Sequence, residues 1–288
     1  MSTPIEGPLV SVVMPAFNAA RFLRDSVASL IAQTHRAVEL LIVDDGSSDD
    51  TVRVAEELAS PDQRVQVIRS PKHVGTAAAR NLALDAMRGD YVCFLDADDA
   101  FLPNKIEMQL AFLRANPSYG LVFSDVYHSY ANLQALRLHR TGVPPLSFHE
   151  LLTVRNWFTP IAPLLTRSLV QSVGPFDENL VPAEDWDYWI RCAEVTSFGY
   201  LPGPVGVYRE HRDQTSRQSE RIRMAQERLI DKHFSRTQRI YARARAACYL
   251  SAARNSKRQP LVMVRELVRF ARTVPGWRDV PMLLRVVQ

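Results

Sequence analysis

Asp96-Ala97-Asp98-Asp99 directly follows the apolar run Tyr91-Val92-Cys93-Phe94-Leu95. Carboxylates packed this densely repel one another, and an apolar strand does not need them. A divalent cation relieves the repulsion, and Asp-x-Asp at a strand end can present two oxygens to one hard metal. An acidic turn with a helix N-cap is the plainer alternative, since Asp is common at both places. A second acidic pair, Asp44-Asp45, ends the apolar run over 39–43 and leads into Gly46-Ser47-Ser48-Asp49-Asp50-Thr51. A third, Glu184-Asp185, precedes Trp186-Asp187-Tyr188-Trp189-Ile190-Arg191. That is a predicted helix start, where the dipole also favours acids.

The surrounding elements decide where these groups stand. Residues 11–15 form a short apolar strand that stops at Pro15, and Ala16-Phe17-Asn18 follow. Residues 19–33 read as a helix, with Phe22, Val27, Leu30 and Ile31 at helical spacing. A strand over 39–43, the acidic loop and a helix to about residue 59 come next. A strand over 64–69, a helix over 75–87, a strand over 91–95, a helix over 103–115 and a strand over 120–124 complete the alternation. Strands alternating with helices predict a parallel sheet with helices on both faces. Such sheets bind ligands at the carboxyl ends of their strands. Pro15-Ala16-Phe17, Asp44-Asp45 and the Asp96 group all fall at such ends.

Taken in order, Ser11-Val12-Val13-Met14-Pro15-Ala16-Phe17-Asn18, Val43-Asp44-Asp45-Gly46-Ser47 and Asp96-Ala97-Asp98-Asp99 resemble the inverting family 2 glycosyltransferases of the GT-A fold. The resemblance continues through Gly75-Thr76-Ala77-Ala78-Ala79-Arg80-Asn81, Val173-Gly174-Pro175-Phe176-Asp177-Glu178 and Glu184-Asp185-Trp186-Asp187-Tyr188-Trp189. It spans residues 9–216. It implies an α/β fold with a mostly parallel central sheet flanked by helices, a nucleotide-binding half over 9–125 and an acceptor half over 126–216. It also implies a nucleotide-diphosphate sugar as donor, a glycan or lipid-linked glycan as acceptor, and Mn²⁺ or Mg²⁺ as cofactor.

The roles that follow from the resemblance are residue-specific. Asp98 is the expected metal ligand, with Asp96 on the metal through water or on the ribose hydroxyls. Asp99 is either a further acid of the site or a helix N-cap. Pro15, Ala16, Phe17, Asn18, Asp45 and Gly75 are expected around the nucleotide. Phe17 stacks on the base or tethers the loop from the core. Asp45 accepts an imide N–H, which favours uracil or thymine over cytosine. Arg80 reaches phosphate or makes a structural pairing inside its helix, and Lys72 and His73 lie where a basic residue could meet phosphate. His211, in Tyr208-Arg209-Glu210-His211, contacts metal or diphosphate, imidazole being more natural for Mn²⁺ than for Mg²⁺. Asp185 matches the family's catalytic base, which takes the proton of the attacking sugar hydroxyl. One base and in-line attack invert the anomeric centre without a carboxylate nucleophile. Glu184 tunes that base or binds acceptor. Trp186 and Trp189 read first as core residues and second as a sugar platform, and Trp157 is an acceptor-site candidate.

Composition agrees with one catalytic domain plus an appendage. Three cysteines, Cys93, Cys192 and Cys248, show neither a disulfide framework nor zinc spacing, which fits a reducing cytoplasm. No signal peptide or transmembrane run is expected. The net charge of +4 divides unevenly. Residues 217–288 hold 17 basic and 5 acidic residues, net +12, while residues 1–216 hold 18 basic and 26 acidic, net −8. The basic segment reads mostly as helices broken near 257–260 and at Pro275-Gly276. Within it, residues 261–272 project Leu261, Val264, Leu267, Val268 and Ala271 on one face and Arg265, Arg269, Arg272 and Glu266 on the other. Either this helix packs with a solvated basic face, or it lies on the anionic inner surface of the cell membrane. Basic charge without a recognition motif does not make a nucleic-acid binder. Two rivals are a non-catalytic nucleotide- or partner-binding scaffold and a sugar nucleotidyltransferase. The second wants a Gly-rich basic loop that Pro15-Ala16-Phe17-Asn18 does not supply.

Overall fold

A computed structural model describes residues 7–130, 133, 136–142, 152, 155–212, 214, 219–234, 242, 244–250 and 260–273. The chain divides into two compact units. The first comprises Met1–Val143, Phe158–Glu178 and Cys192–His211, and the second Pro144–Trp157, Asn179–Arg191 and Arg212–Gln288.

The first unit is a nine-stranded mixed sheet with helices. In chain order it has β1 (Val10–Ala16), α1 (Ala20–Ile31), β2 (Val38–Asp44), α2 (Thr51–Ala59), β3 (Val65–Arg69), α3 (Thr76–Ala86) and β4 (Tyr91–Phe94). Then come β5 (Ala100–Phe101), α4 (Lys105–Ala115), β6 (Tyr119–Tyr130), β7 (Leu136–His139), β8 (Leu164–Thr166) and α5 (Arg167–Val173). Helix α6 (Glu184–Val195) precedes β9 (Ser197–Glu210). The strand order is β3-β2-β1-β4-β8-β6-β9-β5, with β7 on the outside of β6. Strands β1 to β4 are mutually parallel, as are β6 and β9, while β8 joins the two sets antiparallel. Strands β1 and β2 are buried along nearly their whole length, as parallel strands covered on both faces must be.

The path runs from β1 outward to β3, then returns to the other side of β1 for β4. The direction of winding therefore reverses between β1 and β4. A crevice opens outside the carboxyl ends at such a reversal. Pro15 is tolerated there because the β1–β4 ladder ends at Val13.

Two sequence motifs prove to be supports for this frame. The Asn81 amide donates to the carbonyl of Phe176 at 3.0 Å and accepts from its N–H at 2.8 Å, tying α3 to the Gly174-Pro175-Phe176 turn. Strand β6 runs well past the predicted end at residue 124. Asp125, just past that predicted end, is buried within it. It accepts from the Thr141 N–H (2.8 Å), the Tyr200 hydroxyl (2.9 Å) and the Gly203 N–H (3.2 Å).

The second unit contains the start of α6 together with α7 (Ser219–His233) and α8 (Pro260–Thr273). Tyr188 and Trp189 are fully buried and meet edge to face at 5.6 Å, and Trp186 is buried too. These aromatics are core. Helix α8 turns opposite to the simpler expectation of its pattern. Glu266 is buried, near Arg223 and paired with Arg269, whereas Val264, Leu267 and Val268 are exposed. Glu266 packs inward, 3.8 Å from Arg223 of α7. No helix among the described residues is long and apolar enough to cross a membrane.

Candidate active site

Three loops of the first unit meet at the carboxyl ends of β1, β2 and β4. The loop after β1 is shaped by Asn18, which takes a left-handed φ of 49°. Its side-chain oxygen accepts from the N–H groups of Ser48 at 2.9 Å and Asp49 at 3.3 Å, and its own N–H donates to Ser47 Oγ at 3.0 Å. The loops after β1 and β2 are thus one cross-braced unit. Ala16 adds a carbonyl that accepts the Asp45 N–H at 2.8 Å.

Asp45 is buried beneath this brace. Its Oδ1 accepts from the Val74 N–H at 2.6 Å and its Oδ2 from the Gly75 N–H at 2.9 Å, with His73 Nδ1 2.9 Å from Oδ2. A carboxylate has about four lone-pair positions. Three are in use, so one donor can still be accommodated. Gly75 takes φ 95° at the start of α3, and Gly46 takes φ 72° with the Lys72–His73 backbone where a Cβ would sit. Glycine is needed at both because a side chain would be strained at that φ. Phe17 is 46% exposed and packs against His73, ring centroids 4.2 Å apart and tilted by 31°. It is a surface aromatic and not the core tether that was its alternative. His73 is committed to Asp45 and Phe17 instead of standing free for phosphate.

The acidic group after β4 is supported by two buried arginines. Arg80 Nη2 donates to Asp96 Oδ1 at 2.9 Å, and its guanidinium lies over the rings of Phe176 and Phe94. The structural pairing expected as one reading of Arg80 is what it makes. Arg209 donates its backbone N–H to Asp99 Oδ1 at 2.8 Å and its Nε to the Asp98 carbonyl at 2.6 Å. Its Nη2 meets Asp25 at 3.2 Å. Arg209 was not singled out from sequence, because its partners lie more than a hundred residues away and no spacing rule links them. Asp99 does not cap a helix: β5 follows it, and α4 starts only at Lys105, after Asn104.

The electrostatics of the group favour a cation. Burial pushes the Asp96 carboxyl up, against Arg80, and the neighbouring Asp98 adds to the push. Asp99 is pushed well up by burial and by Asp98 and Asp96, and its buried Oδ2 has no hydrogen-bond partner. Asp98 reaches His211, whose Nε2 lies 2.7 Å from Asp98 Oδ2. His211 Nδ1 is 3.2 Å from Arg21 Nη2, and its ring packs on Phe22 at 4.8 Å. A guanidinium only donates, so Nδ1 accepts and Nε2–H faces Asp98. The donor set fits a divalent ion: Asp98 and the His211 imidazole stand beside Asp99, whose Oδ2 has no partner. No cluster of three metal-binding side chains forms among the described residues. The remaining ligands would have to come from the substrate and water.

The second unit holds the other expected residues. Asp185 is half-buried, its Oδ2 accepting from Asn156 Nδ2 at 2.8 Å and its Oδ1 from the Trp186 N–H at 2.7 Å. Glu184 is buried beside it in the first turn of α6. The Trp186 indole donates to the Leu152 carbonyl at 2.5 Å, which fixes it as a support. Trp157 is half-buried with the Arg155 guanidinium 5.0 Å over its ring. Asn156 went unnoticed in the sequence, although it immediately precedes Trp157.

Comparison with known proteins gives the family and the fold. The sequence profile described as Glycosyl transferase family 2 matches residues 11–168, more than half of the chain. An uncharacterized glycosyltransferase of Haemophilus influenzae is 29% identical over 185 residues, covering 64% of this chain and 72% of that protein. A putative teichuronic acid biosynthesis glycosyltransferase of Bacillus subtilis, TuaG, is 42% identical over 106 residues, 37% of this chain and 42% of its own length. Among solved structures, S. aureus TarS 1–349 in complex with UDP-GlcNAc has a TM-score of 0.68 at 18% identity, covering 96% of this chain and 87% of that one. The mannosyltransferase PcManGT of Pyrobaculum calidifontis, in complex with GDP-Man and Mn²⁺, has a TM-score of 0.64 at 20% identity, covering 98% and 80%. These structures share the GT-A fold with this chain. The chain belongs to glycosyl transferase family 2.

Proposed function

We propose that this protein is a metal-dependent inverting glycosyltransferase. It moves a sugar from a nucleotide-diphosphate donor, with UDP- or dTDP-sugars favoured, to a hydroxyl of a glycan or lipid-linked acceptor. The observation that carries the reading is the meeting of Asp98 and His211, 113 residues apart, beside the under-neutralised Asp96 and Asp99. The setting is bacterial surface polysaccharide synthesis, in line with what TuaG is named for.

In this reading Phe17 stacks on the base, with His73 beneath it, and the free lone pair of Asp45 accepts an imide N–H. Gly75 lets the backbone approach the donor. Asp96 takes the ribose hydroxyls or a metal-bound water. Asp98 would hold Mn²⁺ or Mg²⁺, and His211 would either join it or donate Nε2–H to the diphosphate. A bound divalent ion would neutralise the charge that develops on the departing diphosphate. Asp185 removes the proton of the acceptor hydroxyl as the glycosidic bond forms, and Asn156 orients its carboxylate. Glu184 and Trp157 line the acceptor side. Attack opposite the leaving group gives the inverted anomer.

A membrane partner belongs to the same proposal. Val264, Leu267 and Val268 are exposed on α8, in a segment of net charge +12. An outward apolar stripe on a basic segment suits the anionic inner face of the cell membrane, where lipid-linked acceptors reside.

The test is nucleotide release from a panel of UDP- and dTDP-sugars with Mn²⁺, with NMR of the product's anomeric proton. The expected result is release from at least one donor and inversion in the product. Retention of configuration, or release unaffected by chelating the metal, contradicts the proposal.

A further inference from the structure

One carboxylate of the second unit is gripped by a lysine, an arginine and a histidine. Asp187 is fully buried in the first turn of α6. Its Oδ1 accepts from Lys232 Nζ at 2.8 Å and from His233 Nε2 at 2.7 Å, and its Oδ2 from Arg191 Nε at 2.9 Å. Burial alone would push this carboxyl up. His233, Lys232 and Arg191 outweigh it and hold the group well below the usual carboxylate range.

The geometry joins two helix ends. Lys232 and His233 close the last turn of α7, where the exposed carbonyls already favour cations. Asp187 occupies the first turn of α6, where the dipole favours anions. Each charge thus sits at the helix end that suits it, and the pairing locks one end to the other. Asp185 stands two residues before Asp187 in the same turn, and Trp186 between them is pinned to Leu152. A carboxylate held by three donors does not do chemistry. It holds the backbone that carries it.

We infer that Asp187 is a positioning residue: through Lys232 and His233 it fixes the first turn of α6, and with it the Asp185 carboxylate, to the end of α7. The inference deepens the proposed function and rests on Asp185 as the base. It makes residues 219–233, at the head of the basic segment, a working part of the acceptor-side machinery.

The test is hydrogen–deuterium exchange and steady-state kinetics on the full chain, comparing wild type, His233→Leu, His233→Gln and Asp185→Asn. His233→Gln retains a donor at the same place. Amides of residues 184–188 should exchange about tenfold faster in His233→Leu and near wild type in His233→Gln, with β1 and β4 unchanged. Turnover of the nucleotide sugar that wild type consumes should fall about 100-fold in kcat in His233→Leu, with the donor KM within about twofold and with recovery in His233→Gln. If His233→Leu fails to fold, Lys232→Ala removes the more exposed of the two α7 donors and is read in the same way. Unchanged exchange over 184–188 overturns the inference, as does faster exchange with undiminished kcat. Full turnover by Asp185→Asn would instead refute the base, while the exchange data would still decide whether the clasp exists.

Discussion

Asp99 and Asp187 are both fully buried aspartates, and their surroundings have opposite sense. Asp99 stands with Asp98 and Asp96 at the end of β4, pushed well up by burial and like charge, with one oxygen lacking a partner. Asp187 lies in the first turn of α6 with Lys232, His233 and Arg191 as donors and is held well down. Residue type and burial are the same, so neither indicates function. The balance of partners does. A buried carboxylate raised by its acidic neighbours, with one oxygen unpartnered, is a candidate for binding a cation. A carboxylate with a surplus of donors marks a joint. In the first unit one Asp99 oxygen lacks a partner, and in the second Lys232 and Arg191 hold a helix end.

This contrast can be broken at several points. The largest effect is expected at Asp185. Asp185→Asn should lower turnover by about 100- to 10,000-fold, the range for a lost general base, while nucleotide binding stays within about twofold. Kinetics paired with calorimetry would show it. Loss of both together would place Asp185 in the donor site instead.

At Asp187 the expected loss is stability. Asp187→Asn leaves Lys232, His233 and Arg191 facing a neutral amide, and breaking a buried ion pair costs about 3–5 kcal/mol. Denaturant unfolding of the two proteins would measure the gap. Its pH dependence has a definite sign. The native carboxyl titrates below its unfolded value, so on acidification the unfolded chain takes up the proton first. The gap should be full at neutral pH and should narrow as pH falls below about 4, the ordinary aspartate pKa. A gap that widens in acid would contradict the assignment.

A smaller effect is expected at the nucleotide base. Phe17→Ala removes the exposed ring packed against His73. Base–aromatic stacking contributes about 1–3 kcal/mol, so UDP should bind about tenfold or more weakly, with kcat little changed. Unaltered affinity would move the base away from Phe17. The smallest effect is expected on α8. Replacing Val264, Leu267 and Val268 by Gln should reduce partition onto phosphatidylglycerol vesicles by about tenfold and leave stability nearly unchanged, since these side chains are already exposed. A loss of stability would mean that the face is covered by the protein itself.

The meeting of the three loops was legible in the sequence because strand ends announce themselves. Pro15, Asp44-Asp45 and Asp96 each close an apolar run, and alternation with helices puts parallel strand ends on one side. The supports were not legible. Arg209 and Asp99 are 110 residues apart, and His233 and Asp187 are 46 apart. No periodicity connects such pairs; only the folded chain does. The length of β6 was not legible either, because Asp125 is buried inside the strand only through its bonds to Thr141, Tyr200 and Gly203. The apolar stripe of α8 was visible as a pattern, but its direction was not. Amphipathicity defines two faces, and which one packs depends on what the neighbour offers, here Arg223 beside Glu266.

The central claim is that the acidic group after β4 binds a nucleotide diphosphate together with a divalent cation. Isothermal titration of the purified protein with UDP, dTDP, GDP and CDP, with and without Mn²⁺, alongside Asp98→Ala, tests it most directly. The account predicts Mn²⁺-dependent binding of UDP or dTDP that Asp98→Ala abolishes. Binding that ignores Mn²⁺, or that survives in Asp98→Ala, would contradict it.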